Sequence, residues 1–427
     1  MATRGPPRRV AVNDTNDGLT TLTVERVVAG GDGLARHDGL VVFVPRTLPG
    51  EQVEGRIYQR GKVSRLDVTR RLSDSPDRVD APCIHYTRDQ CGGCQLQHAS
   101  PAAQLGIKAD LVVEAFARIG KRTIPRPSVM AAPAPLRYRR KLSFALRRRG
   151  TKWIGGMHRA DAAGQVVPLD DCLLADTRVL DVWRMILAAQ QHFPEGHEGR
   201  ASIRLFDDGA ASFVFEGGEA WPLAKRFFDA VPALRSLWWH PTRGRRRLLH
   251  ERDAAPKRDD ASFVQVNEAV SAALRAHVLD LVRQAAPQHV IDAYAGNGEG
   301  AAELATFVPQ VTAIELDADA AAVAASRLSE PSTVLVGRVE HRIADALPAD
   351  LVLVNPPRSG LDPAVPTAIL AATPAPSRII YVSCDPATLA RDVARLAGWR
   401  VNSVVCFDMF PQTAHVETVC ELVPESA

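Results

Sequence analysis

The chain has 427 residues, of which 46% are hydrophobic and 24% are charged, and its net charge is +3. This composition is typical of a folded protein of two or three domains and excludes wholesale disorder. No apolar run reaches the roughly 18 residues of a membrane-spanning helix, and no signal-peptide core follows the first methionine, so we expect a cytoplasmic protein without membrane contact. Seven cysteines, an odd number, do not indicate the disulfide framework of a secreted protein.

The N-terminal part of the chain predicts a tail followed by a small barrel. Residues 1 to 14 are poor in apolar side chains and predict a flexible tail. Residues 15 to 73 contain short alternating segments separated by Asp-Gly and Pro-Gly pairs, which are typical of hairpin turns. This pattern predicts a closed barrel of about five strands, a class that includes oligonucleotide-binding domains.

Residues 74 to 264 predict a central α+β domain with a helix near 101 to 119, which could instead pack on the C-terminal domain. Seven basic residues lie between 137 and 149, interleaved with Tyr138 and Phe144. Basic and aromatic side chains together suit an RNA backbone and unstacked bases, although a solvated strand face has the same appearance. The candidates for phosphate contacts are Arg137, Arg139, Arg140 and Lys141.

Four cysteines of this central segment are candidate metal ligands. Cys83, Cys91 and Cys94 lie close together in the sequence, and Cys172 is the fourth thiol of the region. Four thiolates can hold a zinc ion or a 4Fe-4S cluster, and the spacing alone favours neither.

From residue 265 to the end at 427, strands alternate with helices. Apolar, β-branched runs begin near residues 289, 311, 333, 350 and 378, and helical segments separate them. This alternation predicts a doubly wound, Rossmann-like α/β domain. Ligands of such folds bind at the carboxyl ends of the strands.

The loop after the first of these strands indicates the type of cofactor. Gly296 and Gly298 lie between the acidic residues Asp292 and Glu299. The spacing differs from the dinucleotide-binding pattern, and the negative charge disfavours a diphosphate. A cationic sulfonium with an amino group fits better, so the loop favours S-adenosylmethionine over a nicotinamide cofactor.

Two further acids extend this prediction. Glu315 ends the second strand, where a carboxylate can accept hydrogen bonds from both ribose hydroxyls. Asp345 lies where an acid could receive the exocyclic amine of adenine.

After the fourth strand, Asn355 begins an Asn-Pro-Pro-Arg turn. Amine methyltransferases place an aromatic residue where Arg358 stands. A guanidinium is better suited to bind an anion or a carbonyl group, so the turn disfavours amine methylation.

Cys384 follows the strand near 378 and precedes a helix. A helix N-terminus lowers the pKa of a thiol, which makes Cys384 a candidate nucleophile. The alternative is a cysteine that only packs.

The sequence resembles the RNA (uracil-5-)-methyltransferases in five motifs that follow that family's order. The motifs are Phe263-Val-Gln-Val-Asn267, the Asp292 loop, Asn355-Pro-Pro-Arg358, Ser383-Cys-Asp-Pro-Ala-Thr-Leu-Ala-Arg-Asp392 and His415-Val-Glu-Thr-Val419.

The resemblance implies a nucleophile, Cys384, and a general base, Glu417, acting on carbon 5 of a uridine in RNA. It also implies that Gln265, Tyr294, Glu315 and Asn355 line the pocket for S-adenosylmethionine and the base, with Glu299 less securely matched. The barrel looks like a TRAM domain, and the family pattern favours a 4Fe-4S cluster over zinc. Both features are similar to those of the 23S ribosomal RNA enzymes, so we expect ribosomal RNA as the substrate and a monomeric protein.

Some features depart from the family pattern or leave alternatives open. Asparagine stands at 355, where the family usually has aspartate, so one negative charge is missing.

The alternative functions are the same reaction on transfer RNA and a catalytically silent RNA-binding protein. The target base must leave its stack, and Phe263, Tyr138 or a tryptophan could stack on it; Arg358 is a further candidate RNA contact.

Overall fold

A computed structural model describes residues 10–11, 18–252 and 265–425. The described chain divides into two compact units. The first contains residues up to 104, 134 to 252 and 411 to 414, and the second contains 105 to 133, 265 to 410 and 415 to 425. Within these ranges, no helix has both the length and the apolar character needed to cross a membrane.

The first unit begins with a seven-stranded, mostly antiparallel sheet. Its strands are β1 (Val10–Ala11), β2 (Thr20–Thr23), β3 (Arg26–Val27), β4 (Gly33–His37), β5 (Leu40–Val44), β6 (Gln52–Arg60) and β7 (Val63–Ser73). Their order is β1-β6-β7-β5-β4-β3, and β2 also pairs with β6. Apolar side chains that alternate along these strands, including Leu22, Val42 and Val53, form a small core.

Two helices and a short strand follow: α1 (Ile84–Thr87), α2 (Pro101–Arg118) and β8 (Ser128–Met130). The first unit then continues with a second seven-stranded sheet, in the order β11-β10-β9-β12-β13-β14-β15. Its elements are β9 (Lys141–Arg149), β10 (Lys152–His158), β11 (Val166–Pro168), α3 (Thr177–Ala188), a 3-10 turn (Gln190–His192), β12 (Glu198–Leu205), β13 (Ala211–Glu216), α4 (Ala224–Ala230), β14 (Leu234–His240) and β15 (Arg247–Glu251). Stacked Phe144 and Trp183 lie in its core.

The second unit is a doubly wound α/β domain, as the sequence predicts. Its elements are α5 (Glu268–Ala285), β16 (His289–Ala293), α6 (Glu299–Leu304), β17 (Gln310–Glu315), α7 (Ala318–Ala325), β18 (Thr333–Val336), α8 (Val339–Ala346), β19 (Leu351–Val354), α9 (Ala364–Ala371), β20 (Arg378–Ser383), α10 (Pro386–Ala394), β21 (Trp399–Phe407) and β22 (Glu417–Pro424).

The sheet of this unit has the order β18-β17-β16-β19-β20-β22-β21-β8. Strands β16 to β20 are parallel, whereas β22 runs antiparallel to both β20 and β21. The strand order reverses between β16 and β19, and such a switch point opens a crevice at the carboxyl ends of the strands. This crevice is where the predicted site residues lie.

Some boundaries differ from the expectations. Residues 105 to 133 group with the C-terminal unit, because β8 pairs with β21 and Lys108 of α2 is buried against Asp408. For most of the helix this is the alternative that the sequence left open, and for the residues after it the boundary differs from the central-domain assignment. The predicted flexible tail lies outside the described residues, apart from the short strand β1.

Candidate active site

Three adjacent parallel strands end at the crevice. The register pairs Ala293 with Val354, and Val354 with Tyr381. The residues that follow these strands therefore meet at one edge of the sheet. The backbone N–H of Asn355 donates to the carbonyl oxygen of Ala293 at 3.3 Å, which joins the ends of β16 and β19.

Cys384 and Glu417 come together through the antiparallel pairing of β20 with β22. The register pairs Ser383 with Thr418, so the next position on each strand brings Cys384 opposite Glu417. Directly opposed residues on antiparallel strands place their side chains on the same face. The chain thus unites two residues that are 33 positions apart in the sequence.

The surroundings of Cys384 differ from the predicted helix N-terminus. Asp385 is the N-cap of α10, and its carboxylate accepts the N–H groups of Ala387 and Thr388 at 2.9 and 3.1 Å. These amides are therefore not directed at the thiol. Burial raises the pKa of the Cys384 thiol and the negative charge of Glu417 raises it further, so the expected lowering by the helix is wrong.

Arg358, and not the N-terminus of α10, is the positive group beside the Cys384 thiol. Its guanidinium is hydrogen-bonded to Cys384, and together with its charge this lowers the pKa of the thiol, against the larger effect of burial. The same guanidinium attracts the carboxylate of Glu417. One arginine thus interacts with both predicted catalytic side chains.

Glu417 is almost fully enclosed, with 4% of its surface exposed. Burial raises its pKa to about 7, partly offset by Arg358. A carboxyl group with a pKa near neutrality can accept a proton and release it again at physiological pH. This arrangement suits a general base.

The cofactor side of the crevice contains two carboxylates. Glu315, at the end of β17, accepts the backbone N–H groups of Gly296 and Asp317, each at 2.8 Å. Asp292 is buried, with 5% of its surface exposed. Burial, and then repulsion by Glu315, raises the pKa of Asp292 to about 7. A buried carboxylate with a second carboxylate nearby fits a cationic ligand such as S-adenosylmethionine.

Comparison with known proteins identifies the family. The model of the tRNA (uracil-5-)-methyltransferase family matches residues 336–423, a range that contains Asn355, Cys384 and Glu417. An uncharacterized RNA methyltransferase of Halalkalibacterium halodurans is 30% identical, with 95% of this chain and 96% of the relative covered. The 23S rRNA (uracil(1939)-C(5))-methyltransferase RlmD of Chromohalobacter salexigens is 32% identical, with 96% and 90% covered.

The chain belongs to the RNA uracil-5-methyltransferase family, and it is an enzyme of that class. Among solved structures, the tRNA (uracil-54, C5)-methyltransferase of Pyrococcus abyssi, in complex with S-adenosyl-L-homocysteine, covers 94% of this chain. The match includes 100% of that chain, with a TM-score of 0.68 and 22% identity. At this identity the likeness shows the fold.

Other predicted pocket residues of the methyltransferase lie in less direct positions. Glu299 is exposed, accepts from Asn297, and lies 3.6 Å from Arg327. Asp345 is on the exposed side of α8, where it pairs with Arg342 at 3.1 Å. In this structure both acids have protein cations as partners, so their roles toward a cofactor stay predictions.

Tyr294 and Gln265 are both half-buried. Tyr294 has a left-handed backbone (φ 67°) and donates its N–H to Ile314 at 3.0 Å. Glu340, in the first turn of α8 after β18, interacts electrostatically with Tyr294. Sequence reasoning missed Glu340, although an acid just beyond the carboxyl end of a strand was a signal for it.

Gly298 has a packing role that the sequence did not predict. Its backbone is left-handed (φ 74°), and a side chain there would come within 2.5 Å of the Cβ atom of Ala324 on α7. This glycine therefore allows the loop to pack against α7. Its use for close approach to a ligand stays a prediction.

The predicted RNA contacts of the central segment already have protein partners. Arg137 forms a two-bond ion pair with Asp171, at 2.8 and 3.0 Å, and Arg140 pairs with Asp207 at 2.6 Å. Arg139 is half-buried beside Tyr138, and Lys141 is half-buried at the start of β9. Phosphate binding by these four residues stays a prediction, and Phe263 lies outside the described residues.

The four cysteines of the first unit lie near one another. The charge of Cys91 interacts with those of Cys83 and Cys172, and that of Cys94 interacts with those of Cys172 and Cys91. Burial raises the pKa of Cys91 to about 11 and that of Cys94 to about 12. Among the described residues, no three His, Cys, Asp or Glu side chains have the arrangement of metal ligands. The iron–sulfur site therefore stays a prediction.

Proposed function

We propose that this methyltransferase modifies carbon 5 of a uridine in 23S ribosomal RNA and that Cys384 is its nucleophile. The observation that carries the proposal is the meeting of Cys384, Glu417 and Arg358 at the carboxyl end of β20. The choice of ribosomal RNA rests on the names of the two RlmD relatives, which are 32% and 31% identical to this chain.

The first step is addition of the Cys384 thiolate to carbon 6 of uracil. A bond forms between Sγ and carbon 6, and the electron pair of the C5=C6 double bond moves toward the carbonyl group, so that carbon 5 becomes nucleophilic. Arg358 supports this step because its positive charge favours the thiolate over the thiol.

Carbon 5 then takes the methyl group of S-adenosylmethionine, which would supply it as an electrophile: the bond from carbon 5 to the methyl carbon forms, the bond from sulfur to that carbon breaks, and S-adenosylhomocysteine is the leaving group. Asp292 fits the cationic end of that molecule, and Glu315 fits its ribose, because each is a carboxylate at the carboxyl end of a strand. Glu315 keeps its orientation through the N–H groups of Gly296 and Asp317.

In the last step Glu417 removes the remaining proton from carbon 5. The electron pair of that C–H bond restores the double bond between carbons 5 and 6, and the bond from carbon 6 to Sγ breaks. Glu417 then carries the proton, and Cys384 leaves as a thiolate. A base pKa near 7 favours both the uptake of this proton and its release to solvent.

We also propose that Cys83, Cys91, Cys94 and Cys172 hold a 4Fe-4S cluster. The mutual interaction of their charges supports one shared site, because several thiolates in proximity repel one another unless a cation binds between them. Arg139 offsets only part of this repulsion. No step of the proposed reaction transfers an electron, so the cluster would hold this segment in place.

A methylation assay on two RNA classes tests the substrate. Purified protein is incubated with S-adenosylmethionine and transcripts of either 23S ribosomal RNA or transfer RNA, and the nucleosides are then analysed. We expect 5-methyluridine in the ribosomal transcript. Methylation of transfer RNA alone would overturn the choice of substrate, and S-adenosylmethionine binding without methylation of either RNA would favour a silent RNA-binding protein.

A further inference from the structure

Asp392 has an unusual number of hydrogen-bond donors around its carboxylate. It lies on α10 and is fully buried. It accepts the N–H of Leu361 at 2.7 Å, the hydroxyl of Tyr381 at 2.9 Å, Nε of Arg391 at 2.9 Å and Nη1 of Arg395 at 3.0 Å. A buried carboxylate needs such partners, and hydrogen bonds to an ionised group are roughly twice as strong as neutral ones.

These contacts attach the segment after β19 to α10. Besides the bond from Leu361 to Asp392, Arg391 donates to the carbonyl oxygen of Ser359 at 2.8 Å, and Arg395 donates to that of Leu361 at 3.3 Å. Backbone groups of Ser359 and Leu361 are thus held by two residues of α10, Arg391 and Asp392, and by its C-cap residue Arg395. The attachment spans 31 positions of sequence between residues 361 and 392.

Gly360 allows the approach to be this close. Its backbone is left-handed (φ 77°), and a Cβ atom there would overlap with the carboxylate of Asp392 and with the guanidinium of Arg391. A side chain at this position would push the segment away from α10. The sequence therefore supplies both the carboxylate and the space that the contact needs.

The attached segment carries Arg358. The N–H of Gly360 donates to the carbonyl oxygen of Pro357 at 2.8 Å, which closes a turn with Arg358 inside it. Helix α10 begins just after Cys384. The contacts of Asp392 therefore connect the residue that provides the positive charge to the element that follows the thiol.

We propose that Asp392 is a positioning residue, which holds the turn of Arg358 against α10 so that the guanidinium meets the thiol of Cys384. It acts through Arg358 and touches neither the uridine nor the methyl donor. The proposal rests on the proposed function only for the chemical use of the thiol. The geometry itself can be tested without RNA.

Asp392→Asn is the informative change because all four partners are donors. A carboxylate has only acceptor atoms, whereas an amide has one acceptor and one donor group of nearly the same shape. In the variant, the amide NH₂ faces donors that it cannot satisfy, and the contact to Leu361 or to the arginines is lost. The segment then moves relative to α10, and Arg358 moves with it.

The measurement is the pH dependence of Cys384 alkylation by iodoacetamide, followed by mass spectrometry of the peptide that contains Cys384. The charged groups that act on this thiol are Arg358, Glu417 and Asp385, and of these only Arg358 favours the thiolate. We expect the midpoint of alkylation to rise in Asp392→Asn. A rise of one pH unit would slow alkylation at neutral pH about tenfold.

Glu421→Gln is the matched control. Glu421 is also buried in the second unit, accepts from Asn402 and Ser403, and pairs with Arg378. It has no contact with the attached segment, so we expect its alkylation midpoint to equal that of the wild-type protein. An equal rise in both variants would mean that any buried carboxylate has this effect, and it would overturn the positioning role.

A double-mutant cycle with Arg358→Gln decides whether Asp392 acts through Arg358. If it does, the two changes together raise the midpoint no further than Arg358→Gln alone. Additive rises, or no rise in Asp392→Asn, would contradict the proposal.

If Asp392→Asn does not fold, Tyr381→Phe removes one of the four donors with little change in shape and should give a smaller rise of the midpoint. A failure to methylate RNA, in contrast, would leave these alkylation results intact and would count only against the proposed function.

Discussion

Cys384 and the four cysteines of the first unit show two different surroundings for a thiol. Burial raises the pKa of Cys384, Cys91 and Cys94 alike. At Cys384, the chain itself provides a cation, Arg358. Cys91 and Cys94 also have an arginine nearby, Arg46 and Arg139 respectively, but other thiols act on each of them as well and raise its pKa.

The difference indicates what each thiol can do. A thiol with one arginine and one carboxylate beside it can ionise, react and be released within a catalytic cycle. Thiols that repel one another as thiolates instead suit a permanently bound cationic group. The predictions below test this contrast, from the largest expected effect to the smallest.

Loss of the nucleophile should have the largest effect. We expect Cys384→Ser to abolish methylation, because a serine hydroxyl is far less acidic than a thiol and Arg358 cannot ionise it at neutral pH. The measurement is 5-methyluridine formation per chain. Binding of S-adenosylmethionine should stay within about twofold of the wild-type value, because Asp292 and Glu315 are unchanged. Retained methylation would assign the chemistry to another residue.

Loss of the base should stop the reaction at a later stage. In Glu417→Gln we expect methylated RNA to stay covalently attached to Cys384, since the amide cannot take the proton from carbon 5. Turnover should fall by about 10² to 10⁴, the usual contribution of a general base. Denaturing gel electrophoresis detects the attached RNA. Fast turnover without any attached RNA would show that another group removes the proton.

Substitution of a cysteine of the first unit should lower the iron content of the protein more than its methylation activity. We expect anaerobically purified protein to contain about four iron atoms per chain and Cys94→Ser to lose them. Cys406→Ser is the matched control, because it makes the same change at a buried cysteine of the second unit that was not predicted to bind the cluster. Iron analysis and the visible absorption band provide the measurement, and equal iron in both variants would contradict the assignment.

The smallest expected effect is on the pH dependence of stability. The pKa of Glu417 is about 7 in the folded protein, above that of an unfolded glutamate, so the folded state binds more protons between these values. The free energy of unfolding should therefore fall as the pH rises from about 4.5 to 7, by on the order of 3 kcal/mol from this residue. Glu417→Gln should remove this pH-dependent contribution to the free energy of unfolding. Urea denaturation of both proteins at several pH values provides the measurement. An unchanged pH profile would mean that Glu417 is not held in a neutral form.

The sequence predicted the α/β sheet well because its strands are short apolar runs. The strands Thr333–Val336 and Arg378–Ser383 begin where predicted. It did not predict β8 at the edge of this sheet, since Ser128 of that strand lies 277 positions before its partner Val405. Long-range pairing of this kind leaves no local pattern.

The sequence predicted which residues belong to the candidate site, but it did not predict the charges and hydrogen-bond partners that surround them. The motifs single out Cys384 and Glu417, and the expectation for the thiol followed from a helix N-terminus alone. That expectation failed because burial and the charge of Glu417 raise the pKa of the thiol, and because Asp385 accepts the N–H groups at the start of α10. The four partners of Asp392 could not be read from the sequence because one of them, Leu361, comes from another part of the chain.

The most direct test of the central claim is peptide mapping of the protein after reaction with RNA that contains 5-fluorouridine. Fluorine at carbon 5 cannot leave as a proton does, so Glu417 cannot complete the reaction and the RNA stays on the nucleophile. We predict one modified peptide, containing Cys384 and a methylated fluorouridine. A modified peptide with a different cysteine, or methylation of ordinary uridine without any trapped peptide, would contradict the account.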